Sequence, residues 1–278
     1  MEYLKLKNTE LTVSRLCVGG CPMGGYGWGQ VSGRELVKAV HGALETGLNF
    51  FDTADVYGLG QAELTLGAAL GSRRDKVTIA GKFGVRRENG RTFYDNSPQW
   101  IRTACENSLR RLETDVIDLY QIHYRDGVTP MEAVVETLEE LRQAGRIRYF
   151  GLSNCFIRDL PELQPFAGRF ASVQLEYSLA RREHEPDLRM LAQGLSLTPM
   201  TWGSLGQGIL TGKYTGESVF GADDRRSRDD YVNFHGDQLR RNMNLVEAMK
   251  PIAADHGKPL CAVALRFILD RVSGQKEV

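Results

Sequence analysis

Short apolar runs alternate with amphipathic segments along the whole chain. The runs fall at residues 16–19, 48–52, 77–80, 116–121, 149–152, 171–175 and 197–202. Each is short, rich in branched or aromatic side chains, and not cleanly alternating. That pattern fits strands buried on both faces, as in a parallel sheet. The segments between them read as helices. Ser32-Gly33-Arg34-Glu35 has the form of a capping box, and Leu36, Val37, Val40 and Leu44 follow at helical spacing before Gly47. Ser97-Pro98 places a cap ahead of a proline at the first helical position, with Ile101, Ala104, Cys105, Ser108, Leu109 and Leu112 on one face. Thr129-Pro130, with Glu132 completing the box, opens a stripe of Met131, Val134, Val135, Leu138 and Leu141 that stops at Gly145. A last stripe includes Val263, Leu265, Phe267, Ile268 and Leu269.

Alternating strands and helices predict an α/β fold with right-handed crossovers. Seven strand–helix units spaced by roughly 25–40 residues suit a barrel better than two domains. No Pro/Ser-rich linker divides the sequence, so residues 1–278 are expected to form a single barrel domain. One long polar stretch stands out at about residues 215–234. It holds Asp223-Asp224-Arg225-Arg226-Ser227-Arg228-Asp229-Asp230, and reads either as a mobile lid over one barrel face or as a plain solvated loop.

Composition narrows the function. The 278 residues carry 35 basic and 35 acidic side chains and are 42% hydrophobic. A chain of that size and make-up can bury a large core, which excludes disorder and a small disulfide scaffold. Net neutrality argues against a nucleic-acid or anionic-membrane binder. No apolar run approaches the ~20 residues of a membrane span. The opening residues alternate charge and apolarity, unlike a signal peptide, which makes the cytoplasm the expected location. Five scattered cysteines (Cys17, Cys21, Cys105, Cys155, Cys261) read as reduced thiols, with no metal-ligand spacing.

In a barrel of this type the chemistry sits where the strands end. The polar residues expected there are Asp52 with Tyr57 just beyond, Lys82, His123, Ser153 with Asn154, Gln174, and Trp202. Each alone has a plain structural explanation. Together they suit one task. Tyrosine is a poor acid at neutral pH. A neighbouring ammonium favours its phenolate, an aspartate fixes that ammonium, and a histidine can donate a hydrogen bond to a carbonyl oxygen. The set makes a proton donor beside a polarised carbonyl.

The motifs carrying these residues are Phe51-Asp52-Thr53-Ala54-Asp55-Val56-Tyr57-Gly58, Gly81-Lys82-Phe83-Gly84, Asp118-Leu119-Tyr120-Gln121-Ile122-His123, Gly151-Leu152-Ser153-Asn154 and Leu210-Thr211-Gly212-Lys213-Tyr214. In order and content the sequence resembles the aldo-keto reductases, most of all the branch with potassium-channel β subunits and bacterial general-stress reductases. The resemblance implies a (β/α)8 TIM barrel that binds NADP(H) across the strand ends without a Rossmann domain. It implies Tyr57 as general acid, Lys82 and Asp52 as its tuning pair, and His123 as carbonyl orienter. Ser153, Asn154 and Gln174 would hold the nicotinamide carboxamide. Trp202 stands where the family usually has a stacking tyrosine, and an indole can stack as well. Gly203, Ser204, Leu205, Gly208 and Lys213 would cradle the pyrophosphate. Tyr26, Trp28 and Tyr124 would line the substrate mouth, or else serve as rim packing. Two glycine-rich stretches, residues 19–25 and 58–63, lack nucleotide-loop spacing and read as turns.

The sequence departs from the family in one respect. Seven strands can be counted, not eight, and residues 272–278 are too few and too polar for a buried strand. The residues that would grip the 2′-phosphate are unassigned. A longer reading frame, a partner chain completing the barrel, or an open variant would each account for this. The expected function is NADPH-dependent reduction of a small-molecule aldehyde or ketone, or the reverse oxidation, with a homo-oligomer compatible. The alternatives are an NADP(H)-binding regulatory subunit with little turnover, a redox or elimination step on a sugar or natural product, and an inactive truncated product.

Overall fold

The computed structural model describes residues 1–28 and 31–272. Contacts divide the chain into two compact units: Met1–Tyr26 with Gln30–Val173 and Met190–Thr198, and Gly27–Gly29 with Gln174–Arg189 and Pro199–Val278.

The first unit begins with a small antiparallel hairpin, β1 (Tyr3–Lys5) and β2 (Thr12–Ser14). Its turn is tied down by Asn8, whose side-chain amide donates to the carbonyls of Phe170 (2.8 Å) and Ser196 (3.1 Å). The Lys7 amide donates to Thr198 Oγ1 at 2.7 Å. The repeating units follow: β3 (Val18–Gly19), α1 (Gly33–Glu45), β4 (Phe50–Asp52), α2 (Gln61–Leu70) and β5 (Thr78–Phe83). After β5 comes a second hairpin, β6 (Val85–Glu88) and β7 (Arg91–Tyr94). The chain continues through α3 (Pro98–Leu112), β8 (Ile117–Ile122), α4 (Met131–Gln143), β9 (Ile147–Ser153), α5 (Leu160–Leu163), β10 (Ser172–Glu176), α6 (Glu185–Gly194), β11 (Thr198–Trp202), α7 (Gly236–Asp255) and α8 (Leu260–Val272).

Seven strands make one sheet in the order β3-β4-β5-β8-β9-β10-β11. The ladders from β3 to β9 are parallel. The Ala171 amide then bonds Phe150 O, and the Thr198 amide bonds Ala171 O, both at 2.9 Å. Strand order that follows the chain without reversal is the barrel pattern; a doubly wound sheet would reverse at a switch point. All seven strands lie on the seven apolar runs. Every residue of β4, β5 and β8 is buried, which is why those runs do not alternate. Among the described residues the sheet has seven strands, and the polar tail, residues 273–278, lies outside the described residues.

Polar groups also fix the sheet. Asp118, buried on β8, accepts from the Ile79 amide (2.9 Å) and from Arg74 Nη2 (2.8 Å), with Arg148 Nη1 at 3.3 Å. The Arg74 guanidinium also donates to Val77 O (3.0 Å), Val116 O (2.7 Å) and Thr114 Oγ1 (3.0 Å). The Asp118 carboxylate thus ties β8 to the start of β5 through the Ile79 amide and to the turn before β5 through Arg74.

Of the three predicted helix starts, Ser97 caps as expected, its hydroxyl accepting from the Trp100 amide at 3.3 Å. The other two correct the sequence reading. Ser32 makes no side-chain cap bond, and Glu35 pairs with Lys38 at 3.0 Å instead of reaching back. At α4 the flanking residue is Pro130, not Thr129. The Thr129 hydroxyl is taken by Asp126 Oδ2 (2.6 Å), while Asp126 Oδ1 accepts the Val128 and Thr129 amides. A local aspartate turn has outcompeted the cap.

In the second unit Ile209, Leu210, Phe234, Met249 and Ala264 form a core, with Tyr214, Phe220 and Tyr231 packed on it. The polar stretch at residues 215–234 therefore has an apolar side. Phe220 and Phe234 meet edge to face at 5.1 Å, and each also meets Tyr214. Arg226 is folded into this cluster, its guanidinium 5.0 Å from the Phe220 ring and bonded through Nε to Asp224 Oδ1 at 2.8 Å. The charge run at residues 223–230 includes this internal pair rather than being wholly solvated.

Candidate active site

Four predicted residues meet in the first unit. Lys82, fully buried near the end of β5, aims its ammonium at Asp52 Oδ1 (2.5 Å), Thr53 O (3.2 Å) and the Tyr57 hydroxyl (3.3 Å). Those three contacts match the three protons of an ammonium. His123 follows β8 immediately, and its ring meets the Tyr57 ring edge-on at 5.7 Å. Its Nδ1 is buried with no hydrogen-bond partner. Burial, reinforced by the Lys82 charge, holds this imidazole well below its usual range. It is therefore neutral at physiological pH and carries one N–H to donate.

The turn bearing Tyr57 is built by unusual backbone. Gly58, Leu59 and Gly60 all have positive φ (59°, 55° and 96°). A Cβ added at Gly24 would stand 2.6 Å from Gly58 N and 2.8 Å from Tyr57 C. The two glycine-rich stretches thus pack backbone to backbone and set the height of the tyrosine. Gly24→Ala is expected to push the turn away, costing about 1–3 kcal/mol of stability and lowering kcat more than it weakens cofactor binding. Denaturant unfolding and initial rates on the same preparation check this. Behind the turn, buried Glu63 accepts through Oε2 from Nε of the half-buried Arg111 at 2.6 Å. Burial first, then the Glu63 charge, pushes the neighbouring Asp55 carboxyl well above the usual range, with Arg111 opposing.

Ser153 ends β9, buried, and Asn154 follows with φ 53°, a left-handed conformation that asparagine tolerates. The Asn154 amide donates to His123 O (3.0 Å) and Ser153 Oγ (3.1 Å), joining the ends of β8 and β9. Tyr124 stacks on His123 at 5.2 Å. Tyr26 lies in the same unit, exposed, under the Arg87 guanidinium at 5.5 Å.

The remaining predicted residues lie in the second unit. Gln174 is buried on β10, and Trp202 ends β11 half-buried. After it comes a run of left-handed backbone at Gly203, Gly206, Gln207, Gly208 and Gly212. The Gly206, Gly208 and Gly212 amides donate back to the Gly203, Leu205 and Ile209 carbonyls, so the run closes as successive tight turns. Ser204 bonds Thr201 through its hydroxyl (3.0 Å), and Lys213 Nζ lies over the Tyr214 ring at 5.6 Å. Gln207, which sequence reasoning passed over, donates to Glu176 Oε1 at 2.9 Å. Trp28 packs edge-on against Tyr231 at 6.2 Å, with the Arg226 guanidinium over it at 5.8 Å.

The β6–β7 hairpin was also missed. Tyr94 stacks on Tyr124 at 4.9 Å and 11°, so aromatic rings run His123–Tyr124–Tyr94 outward from the strand ends. The signal was present. Asn89-Gly90 is a strong two-residue hairpin turn, and both residues have positive φ (50° and 77°).

Strands in chain order, with polar side chains gathered where they end, define a protein of the (β/α)-barrel enzyme class. The chain belongs to the aldo/keto reductase family, whose model matches residues 15–275. It is 34% identical over 274 residues to the aldo-keto reductase YhdN of Bacillus subtilis, covering 98% of this chain and 82% of that one. Among solved structures it is similar to a glycerol dehydrogenase from Gluconobacter oxydans, with 32% identity, a TM-score of 0.86, and coverage of 97% and 83% of the two chains. It is also similar to an aldo-keto reductase from Klebsiella pneumoniae in complex with NADPH, with 28% identity, a TM-score of 0.70, and coverage of 96% and 81%.

Proposed function

We propose that the chain reduces aldehydes or ketones, or oxidises the matching alcohols, with NADP(H) and with Tyr57 as the general acid. The observation that carries this reading is the Lys82 ammonium held between Asp52 Oδ1 and the Tyr57 hydroxyl. A phenol in that position gives up its proton beside a fixed positive charge, so the phenolate is stabilised as it forms. Asp52 holds the ammonium in place. Neutral His123 donates its N–H to the carbonyl oxygen, which then draws the proton from Tyr57 as negative charge builds on it.

The second unit suits the cofactor. The left-handed, glycine-rich run at residues 203–212 is backbone that a diphosphate can approach closely, with Lys213 adding a charge. In that unit Gln174 offers a polar group to a carboxamide and Trp202 a face to the nicotinamide ring, and in the first unit Ser153 and Asn154 are polar groups of the same chemistry. When bound, NADPH supplies the hydride. The Klebsiella relative in complex with NADPH supports this choice of cofactor.

Two measurements test the reading. NADPH is expected to quench tryptophan fluorescence saturably at micromolar concentration, with the quench lost in Trp202→Phe. The cofactor-loaded protein should then oxidise NADPH on addition of 4-nitrobenzaldehyde. Saturable binding with no carbonyl reduced would favour the binding-subunit alternative.

A further inference from the structure

The β6–β7 hairpin has two faces with different partners. Opposed residues of an antiparallel pair share a face, and successive residues alternate. The register pairs Val85 with Tyr94, Arg86 with Phe93, Arg87 with Thr92, and Glu88 with Arg91. One face therefore carries Arg86, Phe93, Glu88 and Arg91. On it the Arg86 guanidinium lies 4.2 Å from the Trp100 ring centre and 5.0 Å from that of Phe93, and pairs with Asp95 at 2.8 Å. That face anchors the hairpin to the start of α3.

The other face carries Tyr94 and Arg87, one strand repeat apart, or about 7 Å. Tyr94 ends the ring series that begins at His123. Arg87 lies over Tyr26, whose chain comes directly from the Gly24 contact with the Tyr57 turn. Both aromatic rings are solvent-exposed, Tyr26 at 42% and Tyr94 at 45%. The two arginines differ in their partners. Arg86 pairs with two carboxylates, Glu88 and Asp95, whereas among the described residues Arg87 has no ion pair, only the Tyr26 ring. An exposed guanidinium resting on an aromatic face keeps its hydrogen-bonding edge open for a planar or tetrahedral anion.

We infer that Arg87, with Tyr26 and Tyr94, forms a distal recognition site that favours carbonyl substrates carrying an anionic group, carboxylate or phosphate, beyond an aromatic or extended body. The inference rests on the carbonyl-reductase reading above and adds to it a substrate class and a specificity-determining residue. The carbonyl end meets Tyr57 and His123, the body lies along the tyrosines, and the anion meets Arg87.

The test compares 4-formylbenzoate and 4-formylphenyl phosphate with neutral 4-nitrobenzaldehyde, using the NADPH-saturated protein and its Arg87→Gln and Arg91→Gln variants. Arg91 is a matched control: it holds the same charge on the same hairpin, on the opposite face. The ratio of kcat/KM for an anionic aldehyde to that for 4-nitrobenzaldehyde is expected to fall about tenfold or more in Arg87→Gln, as for loss of a charge-assisted bond. The change should lie mainly in KM, and Arg91→Gln should keep the wild-type ratio. A fall for only one of the two anions supports the inference and identifies the head group. Unchanged ratios for both, or equal falls in the two variants, overturn it. If 4-nitrobenzaldehyde is not reduced at all, the failure belongs to the carbonyl-reductase reading. Calorimetric binding of 4-(hydroxymethyl)benzoate to the NADP-loaded protein then decides the inference alone. Weakening in Arg87→Gln but not in Arg91→Gln supports it, and equal affinity in all three proteins overturns it.

Discussion

Tyr57→Phe is expected to lower kcat for 4-nitrobenzaldehyde by about 10²–10⁴-fold, the range for a lost general acid, while NADPH still binds. The substitution removes one oxygen. The ring stays, and with it the edge-on contact to His123. Lys82 keeps two of its three partners, Asp52 and Thr53 O, so no charge is stranded. The fold should therefore survive and the defect should be chemical. Single-turnover kinetics with saturating NADPH separate the hydride-coupled step from product release. A rate within about threefold of wild type would remove Tyr57 from the proton-transfer step.

Asp118→Ala is expected to be the most damaging change to stability away from the strand ends, at about 3–5 kcal/mol, as for a broken buried ion pair. It would leave the half-buried Arg74 beside carbonyls with no counter-charge, and the buried Ile79 amide without its acceptor. Asp118→Asn keeps an acceptor for that amide and should lose less. Urea unfolding followed by circular dichroism checks both, with a shifted midpoint and an unchanged slope expected. The folded fraction of either variant should keep its turnover, because Asp118 lies near the start of β8 and His123 just past its end. A loss below about 1 kcal/mol for Asp118→Ala would show that the crosslink contributes little net stability.

What could be read from the sequence followed burial. The strands at residues 78–83 and 117–122 are buried at every position, so they leave continuous apolar runs with their polar residues displaced to the ends. That displacement made Lys82 and His123 visible as candidates, and the fold brings them to one place with Tyr57. Asp118 was visible as part of a motif, but its structural work depends on Arg74, 44 residues away, which periodicity cannot pair. Capping was read less well, because a serine or threonine ahead of a helix has rivals. At Thr129 the rival is Asp126, three residues upstream. The β6–β7 hairpin was hidden by its own exposure. All of β7 and half of β6 lie in solvent, so no apolar alternation survives and only the Asn89-Gly90 turn marks it. The stretch at residues 215–234 was judged by its charges, although Phe220 and Phe234 supply its packing.

The second hairpin leaves the sheet directly after the strand bearing Lys82 and rejoins the chain just before α3, with its base closed by the Asp95 amide on Gly84 O at 3.0 Å. Its contacts to the rest of the unit are side-chain stacks rather than shared ladders. It is thus a detachable cassette. Ten residues could be exchanged for another turn-and-strand pair without altering the backbone that carries Tyr57, so the selectivity proposed for Arg87 would drift on an evolutionary clock separate from that of the proposed chemistry.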